Sequence, residues 1–231
     1  MVKAVLFDWN GTLLDDLGLL AYGSVVKIFE SHDIPSPTLE QYRQEIAAKF
    51  MDFYYRHGFV PNFSGQGPEG DAKALNKIRK QYYLDHDHKV KIRPDAVRTV
   101  LNLRVMKIKV GIVSAEIESS LLTKLSSSDL HNLIDNRFIR AEAWGDKTAA
   151  LLDVCQRLGV PPADALYVDD TVDGAKAAQN AGLVSIGFAN KTGYNSEDRL
   201  RIQTPFIINE LSELLSLVED MNEIRAHGVK L

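Results

Sequence analysis

Short apolar runs, separated by helical patterns, recur through most of the chain. They have strand length and several contain β-branched residues: AVLF (4–7), VGIV (110–113), ALYV (165–168), VSIGF (184–188) and FII (206–208). Between and after them lie patterns of helical spacing, the clearest at 147–160, 175–183 and 210–221. Gly159 and Gly182 stand near the ends of the first two, where helices typically stop. Strands that alternate with helices predict an α/β fold with a doubly wound, mostly parallel sheet.

Residues 16–90 carry a different pattern. Segments 17–33, 39–58 and 71–88 have helical spacing, with no convincing strand among them. NFSGQGPEG (62–70) has three glycines and one proline, which predicts a loop. The simplest architecture is an α/β core of residues 1–15 and 91–231, interrupted after its first strand by an all-helical cap of residues 16–90.

Composition narrows the class of protein and its partners. The chain has 231 residues, 45% of them hydrophobic, and a net charge of −4 with scattered cations, which argues against nucleic acid as a partner. Its single cysteine, Cys155, rules out an internal disulfide and favours a reducing compartment. Neither a signal peptide nor a run of membrane-spanning length is recognisable. We expect a cytoplasmic protein that does not bind membranes and is a monomer or homodimer.

Polar side chains follow three of the predicted strands. In open α/β sheets, ligands bind beyond the carboxyl ends of the strands. The residues at these ends and at the start of one helix are Asp8, Asn10, Thr12, Ser114, Lys147, Asp169 and Asp170. Carboxylates suit a divalent cation, whereas a hydroxyl and an ammonium group suit phosphate oxygens. The sequence therefore predicts a site for a phosphoryl group and a cation.

Four segments of the sequence contain these residues: DWNGT (8–12), GIVSAE (111–116), GDKTAALL (145–152) and YVDDTVDGAKAA (167–178). In this order, they resemble the four motifs of the haloacid dehalogenase superfamily. The resemblance covers nearly the whole chain, and the helical insert is similar to that superfamily's cap domain. Four motifs in order at plausible spacing are much more specific than any one alone.

The resemblance implies an activity and residue roles. The expected activity is that of a phosphatase, which hydrolyses a small phosphorylated metabolite with Mg²⁺. Asp8 would attack phosphorus and become an aspartyl-phosphate. The implied Mg²⁺ ligands are the Asp8 carboxylate, the backbone carbonyl of Asn10, and Asp170. Lys147 would bind phosphoryl oxygens and keep Asp8 ionised. Ser114, Ala115 and Thr12 would complete the substrate-binding set.

The sequence departs from the family pattern after Lys147, where Thr148 replaces a common proline, and at two places that bear on the chemistry. The family's phosphatases have a second aspartate at position 10, which protonates the leaving oxygen and later activates water; Asn10 can do neither. In the fourth motif, the usual second acid falls on Gly174, with Asp173 one residue early. Asp170 keeps the register and is the expected ligand, with Asp169 and Asp173 as reserves.

Two alternative functions remain open. Phosphonoacetaldehyde hydrolases of this superfamily also lack the second aspartate and use a cap lysine to form a Schiff base; Lys49 has a comparable place in the sequence. The other alternative is a catalytically weak member that binds a phosphorylated ligand, which Asn10 favours.

Overall fold

The computed structural model describes residues 1–45 and 50–227. It divides the chain into two compact units: Met1–Asp15 with Ile92–Leu231, and Asp16–Lys91. We refer to the first as the core unit and to the second as the insert. In the described part of the chain, no helix is both long and apolar enough to cross a membrane.

The core unit contains most of the strands and helices. The strands are β1 (Ala4–Phe7), β2 (Leu14–Asp15), β3 (Lys91–Ile92), β4 (Lys109–Val113), β5 (Ile139–Arg140), β6 (Ala165–Asp169), β7 (Val184–Phe188) and β8 (Ile207–Ile208). The helices of the whole chain are α1 (Gly23–Glu30), α2 (Leu39–Glu45), α3 (Phe50–Arg56), α4 (Gly67–His86), α5 (Ala96–Val105), α6 (Glu118–Ser126), α7 (Lys147–Leu158), α8 (Val172–Asn180), α9 (Glu197–Arg201) and α10 (Glu213–Ala226). Six strands form a parallel sheet in the order β5-β4-β1-β6-β7-β8, and β2 pairs with β3 in a separate sheet.

β1 lies inside the sheet, between β4 and β6. Its last residue, Phe7, pairs in register with Ile112 of β4 and Val168 of β6. All four β1 residues are buried, which explains why the run is continuously apolar rather than alternating. Asp8 therefore leaves the sheet level with the ends of both neighbouring strands.

Helices flank the sheet. α7 and α8 pack with Ala4 and Leu6 of β1 in one buried cluster. α5 packs against β4 and also against α10. This arrangement confirms the predicted doubly wound α/β core.

Side-chain caps fix where the two helices nearest the strand ends begin. The Asp146 carboxylate accepts the N–H of Ala149 at the start of α7, and Gly159 ends that helix with a φ of 63°. The Thr171 hydroxyl accepts the N–H of Gly174, so α8 begins at Val172. The periodicity predicted a later start, at residue 175.

The insert combines a π-helical turn, Leu17–Tyr22, with α1 to α4. Its buried core is aromatic: the ring of Phe29 lies 5.6 Å from that of Tyr54 and 5.1 Å from that of Phe59. The loop before α4 is held by buried Asp71, which accepts hydrogen bonds from the Tyr55 hydroxyl and from the backbone N–H groups of residues 62 and 64.

Candidate active site

The register of the central strands brings the predicted site residues of the core unit to one edge of the sheet. Asp8 follows β1, Ser114 follows β4, and Asp169 and Asp170 stand at the end of β6. Lys147 is the first residue of α7. These four acidic and hydroxyl side chains are buried, although each is polar. Burying three carboxylates costs free energy unless cations or hydrogen-bond donors compensate.

The three acids form a compact cluster. One carboxylate oxygen each from Asp8, Asp169 and Asp170 lies within 4.8 Å of the others. Carboxylate oxygens are the ligands that hard divalent cations prefer, so these three acids are candidate ligands for such a cation. Asp173 is exposed in the first turn of α8 and is not one of the three clustered acids.

Lys147 supplies a positive charge inside this cluster. Its Nζ lies 2.9 Å from Asp8 Oδ1 and 2.8 Å from Asp169 Oδ2. Burial disfavours the charged ammonium, but Asp169 and Asp8 outweigh that effect and raise the pKa of Lys147 above its ordinary value. Lys147 is therefore a permanent cation that bridges two carboxylates.

Asp8 remains short of compensating charge. Burial raises the pKa of Asp8 to about 7, against the opposing pull of Lys147 and with a further contribution from Asp169. The hydroxyl of Tyr167, which sequence reasoning missed, lies 3.4 Å from Asp8 Oδ1 and 3.1 Å from the Val113 carbonyl. Additional positive charge at this edge would favour the carboxylate form of Asp8.

Asp169 explains the missing acid at position 174. Its Oδ1 accepts hydrogen bonds from the Thr171 N–H at 2.7 Å and the Thr171 hydroxyl at 2.6 Å, while its Oδ2 faces Lys147. A Cβ atom at Gly174 would overlap this carboxylate. The carboxylate that faces Lys147 therefore comes from position 169, and only glycine fits at position 174.

Asp170 is oriented by two loops. Its Oδ2 accepts the Tyr194 N–H at 2.5 Å, and its Oδ1 lies 3.4 Å from the Thr12 hydroxyl. Gly11 has a φ of 77°, and a Cβ there would overlap the Asp170 carboxylate. Thr12 thus contacts an acid of the cluster. The sequence did not predict the contact of Tyr194, because its loop has no strand or helix pattern.

Arg93 is a second residue that the sequence did not reveal. The side chain is buried and donates to the Thr12 carbonyl at 2.9 Å, the Gly11 carbonyl at 2.7 Å and the Thr192 hydroxyl at 2.8 Å. It therefore ties the loop after β1 to the loop after β7. A lone arginine in KIRP carries no motif that would have identified it.

The loop after β4 connects Ser114 to position 10. Ser114 is buried, and its Oγ accepts the Glu116 N–H at 3.0 Å. Asn10 Nδ2 lies 3.3 Å from Glu116 Oε2. Ala115 is exposed and, with Lys147 and Trp144, lines a cavity of about 480 Å³ within the core unit.

Comparisons with known proteins agree with this geometry. A model of the haloacid dehalogenase-like hydrolase family matches residues 2–182. The chain is 27% identical to a glyceraldehyde 3-phosphate phosphatase of Methanopyrus kandleri, over 96% of this chain and 99% of that one. It is 26% identical to a phosphoglycolate phosphatase of Nitrosospira multiformis, over 94% and 96% of the two chains. A conserved haloacid dehalogenase-like protein of unknown function from Agrobacterium tumefaciens has the same fold, with a TM-score of 0.78, 18% identity and coverage of 96% and 100%.

The chain belongs to the haloacid dehalogenase-like hydrolases. It is an enzyme, a hydrolase of the phosphatase type.

Proposed function

We propose that this hydrolase removes the phosphoryl group of a small phosphorylated metabolite, with Mg²⁺, through an aspartyl-phosphate on Asp8. One observation carries the proposal: a buried carboxylate at the end of a central strand, 2.9 Å from a lysine ammonium and clustered with two further acids. A nucleophile, an anion-binding cation and metal ligands are the parts that phosphoryl transfer requires.

The residues present fit a magnesium ion. Three carboxylate oxygens within 4.8 Å of one another form a hard, anionic donor set. We assign the Asp8 and Asp170 carboxylates and the backbone carbonyl of Asn10 as its ligands. When bound, the ion supplies positive charge that offsets the repulsion between a carboxylate and a phosphate dianion.

The remaining residues at this edge of the sheet bind the phosphoryl group of the substrate and orient the acids. Lys147 favours the carboxylate form of Asp8 and binds the phosphoryl oxygens. Ser114 and Ala115 bind the phosphoryl group from the loop after β4. Thr12 completes the substrate-binding set and also supports Asp170 through its hydroxyl.

The amide of Asn10 restricts which phosphate esters the enzyme can hydrolyse quickly. An amide cannot donate a proton to the leaving oxygen, and general acid catalysis is worth on the order of 10²–10⁴ in rate. The enzyme should therefore favour substrates with good leaving groups, such as acyl or aryl phosphates, over simple alkyl phosphates.

The phosphonate alternative has no structural support. Lys49, the proposed Schiff-base lysine, lies outside the described residues. The phosphatases of Methanopyrus kandleri and Nitrosospira multiformis act on small phosphorylated compounds by name, which supports the same substrate class here. The negative net charge and single buried cysteine fit a cytoplasmic enzyme that does not act on nucleic acid.

The test is hydrolysis of an aryl phosphate with and without magnesium. Asp8→Asn should lower kcat by at least about a thousandfold because it removes the nucleophile. A chelator should abolish turnover by the wild type, and added Mg²⁺ should restore it. Asp220→Asn, which changes an exposed acid on α10, is the matched control and should retain full activity.

Chelator-resistant turnover, or an active Asp8→Asn variant, would contradict the proposal. Binding of phosphorylated compounds without turnover of any aryl, acyl or alkyl phosphate would favour the catalytically weak alternative.

A further inference from the structure

A carboxylate lies one hydrogen bond away from the amide at position 10. The Asn10 Nδ2 atom is 3.3 Å from Glu116 Oε2. The opposite orientation of the amide would set its oxygen against a carboxylate oxygen, and neither can donate a hydrogen bond. The Glu116 carboxylate therefore favours the orientation in which the Asn10 amide nitrogen faces it.

Glu116 is itself held in place. Its Oε1 accepts the Ile117 N–H at 3.1 Å, and its Oε2 accepts from Lys124 Nζ at 3.2 Å. The side chains of Glu116 and Lys124 are only 18% and 13% exposed, so solvent competes little for these contacts. The Glu116 N–H donates to Ser114 Oγ, which links the same residue to the loop after β4.

We propose that Glu116 is a positioning residue for this enzyme: it holds the side chain at position 10, and its negative charge is the reason that position 10 carries an amide. The inference rests on the proposed function, since it concerns the residue that replaces the family's proton donor.

Electrostatics support the match between the two positions. An aspartate at position 10 would place two carboxylates at hydrogen-bond distance, beside a cluster that already holds three buried acids. Like charges that close disfavour each other strongly. An amide converts this repulsion into a hydrogen bond, so residue 10 and residue 116 act as one pair.

A polarity swap across the pair tests the proposal. In the double variant Asn10→Asp/Glu116→Gln, the glutamine amide donates to the new aspartate, so the hydrogen bond is restored with its direction reversed. We measure kcat and KM for an aryl phosphate in the wild type, both single variants and the double variant, with melting temperatures for each. Glu118→Gln is the matched control, because it removes a charge from an exposed position two residues along.

Asn10→Asp alone should lower kcat by about ten- to a hundredfold, because Glu116 repels the new carboxylate and its charge adds to the three acids at the site proposed for the phosphoryl group. The double variant should equal or exceed the wild type in kcat, because an aspartate held by the glutamine amide can also activate water, so the two changes couple by at least about tenfold. Glu116→Gln alone keeps an acceptor for Asn10 and should lose less than Asn10→Asp. Glu118→Gln should match the wild type.

Three outcomes would overturn the inference: independent effects of the two substitutions, a gain in kcat from Asn10→Asp alone, or recovery explained entirely by a restored melting temperature. Failure of the proposed function looks different, because then the wild type itself shows no magnesium-dependent turnover and Asp8→Asn has no effect.

Discussion

The charges at the candidate site do not balance. Asp8, Asp169 and Asp170 are buried together, and Lys147 lies within 3 Å of two of them. The raised pKa of Asp8 is the direct consequence, because burial and Asp169 both oppose its ionisation. Buried like charges of this kind destabilise the folded protein, and they are typical of functional sites.

Asp8→Asn should therefore stabilise the metal-free protein at neutral pH. The pKa of Asp8 is about 7 in the folded state and 3.8 ordinarily, so folding loses stability as the pH rises from about 4 through 7. Each pKa unit corresponds to about 1.4 kcal/mol, so the rise of the Asp8 pKa from 3.8 to about 7 predicts a gain on the order of 4 kcal/mol at pH 8, seen as a melting temperature roughly ten degrees higher. At pH 4 the gain should vanish.

Thermal melts in chelator at several pH values measure this difference, with Asp220→Asn as the control that should not shift. An Asp8→Asn variant no more stable than the wild type at pH 8, or a gain that grows towards acid pH, would show that Asp8 carries no electrostatic strain.

The sequence predicted the candidate site residues that stand at strand ends, and it did not predict the residues that contact them across loops. Asp8, Ser114 and Asp170 follow apolar runs, and the parallel register brings such positions together. Glu116 was within the quoted motif GIVSAE, but its contact with Asn10 spans 106 positions of sequence. Arg93 and Tyr194 likewise act through contacts that no local pattern encodes.

Among the helices and strands, the start of α7 has the most direct effect on the candidate site. Lys147 is the first residue of α7, so the cap of that helix also places the lysine. The Asp146 side chain accepts the Ala149 N–H at 2.8 Å and satisfies one of the donors that the helix leaves unpaired.

Asp146→Ala should lower the free energy of unfolding by about 0.5–2 kcal/mol, the usual cost of losing such a cap. Because fraying of the first turn displaces Lys147, kcat should also fall several-fold. Chemical denaturation and aryl phosphate kinetics measure the two effects. Asp153→Ala removes a half-exposed acid later in α7 and should leave kcat unchanged. If both variants behave alike, the cap has no specific role at the site.

The apolar runs identified five strands of the six-stranded sheet, including the two-residue β8, but not the two-residue strands β2, β3 and β5. AVLF and VSIGF match β1 and β7 residue for residue. β5 consists of Ile139 and Arg140, so it has only one apolar residue and no apolar run to stand out. α5 and α6 were not singled out from the sequence, although both belong to the core unit.

At the scale of the whole molecule, the topology of the sheet and the family match agree on the class of protein. The chain has a six-stranded parallel sheet with flanking helices, and the match of the family model to residues 2–182 shows that it is a haloacid dehalogenase-like hydrolase. The predicted division fell after residues 15 and 90, and the described contacts divide the chain after Asp15 and Lys91. The sequence did not identify the substrate, because the residues that we propose bind the phosphoryl group do not contact the leaving group.

The central claim is that Asp8 becomes covalently phosphorylated during turnover. Because Asn10 cannot activate water as a carboxylate would, hydrolysis of the aspartyl-phosphate should be slow, and the intermediate should accumulate. Acid quenching during aryl phosphate turnover with Mg²⁺, followed by mass spectrometry of the peptide that contains Asp8, measures this directly. We expect a product burst equal to the enzyme concentration and one phosphoryl group on Asp8, absent in Asp8→Asn. Steady turnover with no burst and no phosphoryl group on Asp8, or equal labelling of the Asp8→Asn variant, would contradict the account.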